Sequence, residues 1–252
     1  MALEQARRVA ERFARLDRPV DTVVVITETR GDRDPESPIR LLGRDGAFAA
    51  EVELAVLEGR ADVAVHSAKD LPSVALLEGL VLAATPERVD VRDAFVGNTL
   101  EGLPPGALVA TGSTRRRAQI AWLRPDLGFV ELRGNIATRL AKVPTNGLVV
   151  VAFAALVRLG LAQTADEVLS TDLVLPQVGQ GALALRCRSD DEVTLQLCVA
   201  IDDAPVHRAI EAERAFLARL GGGCDAPVGA YASCSHASPS VHLEAFVARE
   251  DG

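Results

Sequence analysis

Apolar residues recur at helical spacing through Leu3, Ala6, Val9, Ala10 and Phe13, which predicts a helix over residues 3–16. The unbroken run Thr22-Val23-Val24-Val25-Ile26 predicts a buried strand, and the polar stretch over 29–38 reads as a mobile loop. A helix follows over 48–58 and a strand over 61–65. A second alternating set begins near Asp93: strand 107–110, helix 116–123, strand 129–132, helix 136–143 and strand 148–152. A late strand is expected over 183–187, then a long helix over 206–220 that stops at a run of glycines. Alternation of this kind predicts an α/β fold with parallel sheets and helices on both faces. There is no internal repeat and no low-complexity segment.

Composition narrows the class. A chain of 252 residues with 48% hydrophobic and 25% charged residues is that of an ordinary globular protein, long enough for two or three small cores. No apolar run reaches the length of a membrane span, and the charged, amphipathic N-terminus does not read as a signal peptide. The four cysteines, Cys187, Cys198, Cys224 and Cys234, form no C-x-x-C pair and no zinc-type spacing with the four histidines. No metal site is expected, and a reduced, cytoplasmic setting is the simplest reading.

Charge then changes the picture. A net charge of −8 and 4% aromatic residues argue against nucleic-acid binding. Lysine occurs only at Lys69 and Lys142, so 25 of the 27 basic residues are arginine. Arg115-Arg116-Arg117, Arg133 and Arg139 cluster in an otherwise acidic chain. Arginine grips carboxylates and phosphates with a planar fork, so the cluster points to a small polyanionic ligand.

The chemistry-bearing residues fall at strand ends, where open α/β sheets bind their ligands. Residues 61–65 run into His66-Ser67-Ala68-Lys69-Asp70, a cation and a carboxylate side by side. They serve either to bind an anion and stabilise a cationic intermediate, or as an ordinary surface ion pair. Ala110-Thr111-Gly112-Ser113-Thr114 leads into the three arginines, and reads as an anion cradle or as a helix cap with solvated arginines. Three arginines at a helix N-terminus oppose the helix dipole, which a bound anion would relieve. Leu132-Arg133-Gly134-Asn135 repeats the design ahead of a helix carrying Arg139, and residues 176–181 read as a glycine hinge holding Gln180. Cys224, in Gly221-Gly222-Gly223-Cys224-Asp225-Ala226-Pro227, is either a reactive thiol on an open loop or an incidental cysteine after a helix C-cap.

Taken together, these segments resemble one family. His66-Ser-Ala-Lys-Asp-Leu-Pro72, Thr111-Gly-Ser-Thr-Arg-Arg116, Leu132-Arg-Gly-Asn-Ile-Ala-Thr-Arg139, Leu175-Pro-Gln-Val-Gly-Gln-Gly-Ala182 and Glu213-Arg-Ala-Phe with Gly-Gly-Cys-Asp-Ala-Pro227 are similar to the porphobilinogen deaminases, or hydroxymethylbilane synthases. Thr29-Arg-Gly-Asp32 and Arg92-Asp-Ala-Phe95 add to the likeness, and the matches run in order along nearly the whole chain.

The resemblance implies a transferase that joins four porphobilinogen units head to tail, losing ammonia each time, and releases hydroxymethylbilane for tetrapyrrole and heme biosynthesis. It implies a dipyrromethane cofactor on a thioether at Cys224, and Asp70 as the carboxylate that assists proton movements and stabilises azafulvene and pyrrolic cations. Ser67, Lys69, Thr111, Ser113, Arg115, Arg116, Arg133 and Arg139 fall where the family binds acetate and propionate groups, with Gln180 lining the cleft. The implied fold is two periplasmic-binding-protein-like (type II) domains plus a small α/β C-terminal domain. The expected boundaries are 1–85 with 182–200, then 90–178, then 204–252. A monomer with no nucleic-acid or membrane partner is expected.

Departures from the family pattern are the opening at Met1-Ala2-Leu3, without the first strand and its Thr-Arg-x-Ser segment, an early end after Gly252, and Asp45, Gly112 and Ala155. The expectation is a trimmed form of a longer product. Two other readings share the arginine-lined cleft: a non-catalytic anionic-solute-binding module and an inactive remnant.

Overall fold

The structure is a computed structural model that describes residues 1–27, 49–72, 77–221 and 226–249. The chain forms two compact units, Met1–Arg88 with Ala182–Cys224 and Ala232–Leu243, and Val89–Gly181 with Asp225–Tyr231 and Glu244–Gly252. Residues 204–220 group with the first unit.

In the first unit, helix α1 (Ala2–Ala14) turns Val9 and Phe13 inward, as its spacing requires. They pack on Ala83, Ala84, Leu185, Cys187 and Cys198. Helix α2 (Ala50–Leu57) precedes β1 (Ala64–Ser67), a 3-10 turn (Ala68–Asp70) and β2 (Leu80–Ala84). The run 22–26 forms no strand. Val23 is 88% and Ile26 81% exposed, because a β-branched run becomes a buried strand only where neighbouring strands bond to it. The loop expected over 29–38 lies outside the described residues.

In the second unit, β3 (Asp93–Val96), β4 (Leu108–Ala110), α3 (Thr114–Leu123), β5 (Gly128–Val130), α4 (Ile136–Leu140), β6 (Gly147–Ala152), α5 (Phe153–Arg158) and β7 (Glu167–Val168) follow one another. They build a five-stranded sheet of order β5-β4-β6-β3-β7. Strand β6 is buried along its whole length. Leu148 and Val150 pack with Phe95, Val109 and Ile120 on one face. Val149 and Val151 pack with Ala94, Ala110, Leu132 and Leu156 on the other. Both faces are therefore covered, as a central α/β strand requires.

The expectation of purely parallel sheets needs correction. β4 runs parallel to β5 and β6, but β3 is antiparallel to β6 and β7. In the first unit β8 (Leu183–Arg188) enters between β1 and β2 and is antiparallel to both. Hydrophobic alternation marks strands without fixing their direction. Direction depends on the route the chain takes back, and here the central strand arrives some hundred residues late.

Helix α6 (Glu192–Val199) and helix α7 (Ala204–Leu220) complete the first unit. Asp203 caps α7 by accepting from the Val206 N–H, and the helix ends at Gly221 in the left-handed region. Its Ile210 packs with Leu71, Ala182 and Ala184. Strands β9 (Val228–Ser235) and β10 (Ser238–Val247) pair as a hairpin.

Candidate active site

The predicted site residues fall at strand ends in both units. In the first, β1 ends in Ser67, and Lys69 and Asp70 follow in the 3-10 turn, half-buried and exposed respectively. The turn is pinned from both sides. Ala68 N–H donates to Ala182 O at 3.1 Å, and Arg214 on α7 donates to Pro72 O at 2.7 Å. Cys224 lies outside the described residues.

Beneath this turn is a buried cluster that sequence reasoning missed. Arg186 on β8 pairs with Glu53 on α2, and His66 Nε2 lies 3.9 Å from Glu53 Oε1. Burial, with Arg186 adding to it, pushes the His66 imidazole down to about 4, so it is neutral at physiological pH. A second buried pair, Arg88 with Glu213, holds α7 through bonds of 2.6 and 3.1 Å. The Ala232 N–H donates to the same carboxylate at 2.8 Å.

In the second unit, Thr111, Ser113, Arg115 and Arg116 follow β4, and Arg133 follows the neighbouring parallel β5. Both hydroxyl groups serve the backbone. Thr111 Oγ1 accepts from the Ser113 N–H at 3.2 Å, and Ser113 caps α3 by accepting from the Arg116 N–H. The two turns touch at Gly112. A Cβ there would lie 2.9 Å from Leu132 O, which leaves no room for a larger residue without a backbone shift. Arg133 is exposed beside Glu131 at 3.2 Å, and Arg139 Nε donates to Gly134 O at 2.8 Å.

Arg115 and Arg116, which the sequence left between an anion cradle and a helix cap with solvated arginines, are buried, and both converge on Asp93 at the head of β3. Arg115 Nη2 donates to Asp93 Oδ2 at 2.7 Å, and Arg116 Nη2 donates to Oδ1 at 2.7 Å. Their Nη1 groups donate to Leu175 O at 2.5 Å and Val150 O at 3.2 Å. Gln180, fully buried, donates its amide to Asp93 Oδ1 and to Val91 O, both at 2.8 Å.

Burial alone would raise the Asp93 carboxyl, but the two guanidinium groups override it and hold it well below the usual carboxylate range. Burial lowers Arg115 from the ordinary arginine value, with Asp93 holding it up and Arg116 adding to the fall. The Nε–H groups of both arginines are buried and have no hydrogen-bond partner among the described residues. Asp93 was quoted in the sequence only as part of Arg92-Asp-Ala-Phe95. The available signal was a lone carboxylate heading an apolar strand, which must be paired to be buried.

The array has two buried guanidinium groups for one carboxylate, with unsatisfied donors left over. Among the described residues there is no cluster of histidine, cysteine and acidic side chains able to hold a metal ion, and no helix long and apolar enough to cross a membrane.

Comparisons with known proteins bear on this arrangement. Solved structures similar to the chain include the GluR0 ligand-binding core in complex with L-glutamate, at 14% identity and TM-score 0.38 over 85% of this chain and 87% of that one. Another is the ligand-binding component of an ABC-type import system from Staphylococcus aureus, at 11% identity and TM-score 0.41 over 87% and 75%. A likeness at these scores is too distant to argue from.

The curated relatives are much nearer. Porphobilinogen deaminase of Roseiflexus sp. (strain RS-1) is 46% identical over all of this chain and 84% of its own length. That of Thermobifida fusca (strain YX) is 46% identical over 100% and 79%, and that of Brevibacillus brevis 40% over 100% and 82%. The family model for the porphobilinogen deaminase dipyromethane cofactor binding domain matches residues 1–196, and that for the C-terminal domain matches 207–252. With both domains matched in order and close relatives along its full length, the chain belongs to the porphobilinogen deaminase family.

Proposed function

We propose that this protein condenses four porphobilinogen molecules head to tail into hydroxymethylbilane. Each addition breaks the aminomethyl C–N bond of one substrate and releases ammonia. A C–C bond forms to the next pyrrole, which loses its α-proton. The observation that carries the reading is the Asp93 array, a strand-end site with more buried guanidinium than carboxylate, in a chain of this family. Porphobilinogen carries two carboxylates, and a growing pyrrole chain carries more, so its ligand is a polyanion. A solute-binding module would share that site but would need neither Cys224 nor Asp70.

The residues fit a dipyrromethane, since the unpartnered Nε–H groups of Arg115 and Arg116 are donors of the kind its carboxylates require. Bound by a thioether at Cys224, the group supplies the pyrrole end to which the first substrate is joined. Arg115, Arg116, Arg133 and Arg139, with Lys69, bind acetate and propionate groups. Ser67 joins them as a ligand-binding residue, Thr111 and Ser113 fix the strand-end turn ahead of α3, and Gln180 supports Asp93. Asp70, exposed in the 3-10 turn after β1, takes up and returns the proton and stabilises positive charge as ammonia leaves. Covalent attachment makes each addition effectively intramolecular.

The finer organisation follows the same reading. We assign domain 1 to 1–85 with 182–200, domain 2 to 90–178 and domain 3 to 204–252. The protein acts as a cytoplasmic monomer without nucleic acid, in keeping with its net charge of −8 and the free thiols of Cys187 and Cys198.

Intact mass of the denatured protein tests this, before and after incubation with porphobilinogen. The expected result is a mass above that of the sequence by one dipyrromethane, localised to Cys224 and rising in pyrrole-sized steps. Cys224→Ser should stay at the bare mass, and Asp70→Ala should lose turnover. A wild-type mass that never changes overturns the proposal.

A further inference from the structure

We infer that Asp93 is a positioning residue for substrate binding: it aims Arg115 and Arg116 together and leaves their array one positive charge in excess. The inference rests on the proposed function and deepens it, since that reading uses the array as a whole and assigns Asp93 itself no part in binding.

The geometry supports it at each contact. Three donors from two segments far apart in the chain, helix α3 and the turn holding Gln180, converge on one carboxylate, with Arg115 on Oδ2 and Arg116 and Gln180 on Oδ1, all at 2.7–2.8 Å. Each guanidinium is held at a second point by a main-chain carbonyl, Leu175 O or Val150 O. Gln119 holds Leu175 in turn, accepting from its N–H at 2.8 Å and donating to its carbonyl at 3.0 Å. Neither arginine can swing without breaking two bonds. What each has left is its Nε–H edge, buried and without a partner among the described residues.

Formal charges give +2 from the arginines and −1 from Asp93, and Gln180 contributes none. A structural ion pair would be neutral, as Arg186 with Glu53 and Arg88 with Glu213 are within their own contacts. Burying an extra cation is costly unless an anion joins it. Asp93 therefore does two things at once. It stabilises the pair well enough to fold, and it stops short of neutralising it, which leaves the array matched to one carboxylate of the ligand. The chemical class selected is a monoanionic carboxylate arm, with no second charge accommodated at that point.

The test uses the whole chain and two variants, with sodium succinate as a thermal-shift probe and porphobilinogen as substrate. Asp93→Glu keeps the charge but moves the carboxyl by one methylene, so it is the deciding variant. It is expected to fold, to raise KM for porphobilinogen at least tenfold with kcat within about threefold of wild type, and to lose most of the succinate-induced rise in Tm. Asp93→Asn is expected to lower Tm while showing a larger succinate-induced rise than wild type, because its array is two charges in excess.

A merely structural role would lower the active fraction, seen as reduced kcat at unchanged KM. That result, or Asp93→Glu with wild-type KM and wild-type succinate response, overturns the inference while leaving the proposed function standing. A wild-type protein that responds to succinate but never gains pyrrole mass overturns the proposed function and leaves the anion receptor intact.

Discussion

The two units each bury arginine against carboxylate, and they do so with different arithmetic. In the first, Arg186 meets Glu53 and Arg88 meets Glu213, one cation to one anion. In the second, Arg115 and Arg116 share Asp93. A one-to-one pair closes on itself and asks nothing of a ligand, so its worth is structural. A two-to-one array is left with one formal positive charge in excess, which is the feature the proposed carboxylate ligand would meet. Buried arginine is thus common to both units, and what separates the two clusters in their ion pairs is the ratio of guanidinium to carboxylate.

Removing one arginine from each kind of site should break the comparison most sharply. Arg186→Met leaves Glu53 buried without its cation and should cost about 3–5 kcal/mol of unfolding free energy, read from urea denaturation. A loss under about 1 kcal/mol would show that the pair is not structural. His66 gives the next largest effect, through pH. Its pKa falls from 6.5 unfolded to about 4 folded, because burial first and then Arg186 disfavour the charged ring. The unfolded state therefore binds more protons between those values, so stability is complete above pH 6.5 and falls as pH drops toward 4. The drop is about 3 kcal/mol from this group, measured as wild type against His66→Asn at pH 7 and pH 4. A gap between the two proteins that stays constant with pH would refute it.

The smallest stability effect belongs to the array. Arg116→Met leaves Asp93 paired one-to-one with Arg115 and strands only Val150 O, so the fold should lose about 1–2 kcal/mol. The same variant should raise KM for porphobilinogen tenfold or more. Stability lost without a change in KM would move Arg116 into the same class as Arg186.

Much of the secondary structure was legible along the chain. The helices at 2–14, 114–123 and 204–220 and the strands at 108–110, 147–152 and 183–188 follow from periodicity and from caps such as Ser113 and Asp203. β2 and the β9–β10 hairpin were not foreseen, although the alternation Val241-His242-Leu243-Glu244-Ala245 in β10 was an available signal. The run 22–26 failed in the opposite sense: its composition promises a strand, but hydrogen-bond partners come from elsewhere in the chain.

The candidate site divides in the same way. Motif order placed Lys69, Asp70, Arg115, Arg116 and Arg133 at strand ends, because chain order fixes which residues follow a strand. Asp93, 22 and 23 residues from its arginines, and Gln180, 87 residues from Asp93, are invisible as partners in one dimension.

By itself, the sequence determined the residue types, their order, the helix and strand periods and the excess of arginine at two turns. Those properties are local or compositional, and local forces act on neighbours in the chain. Only the tertiary structure decided that β8 lies between β1 and β2, and that Arg115 and Arg116 share one carboxylate. Both depend on which distant segments meet, and burial acts on whatever is brought together regardless of its place in the chain.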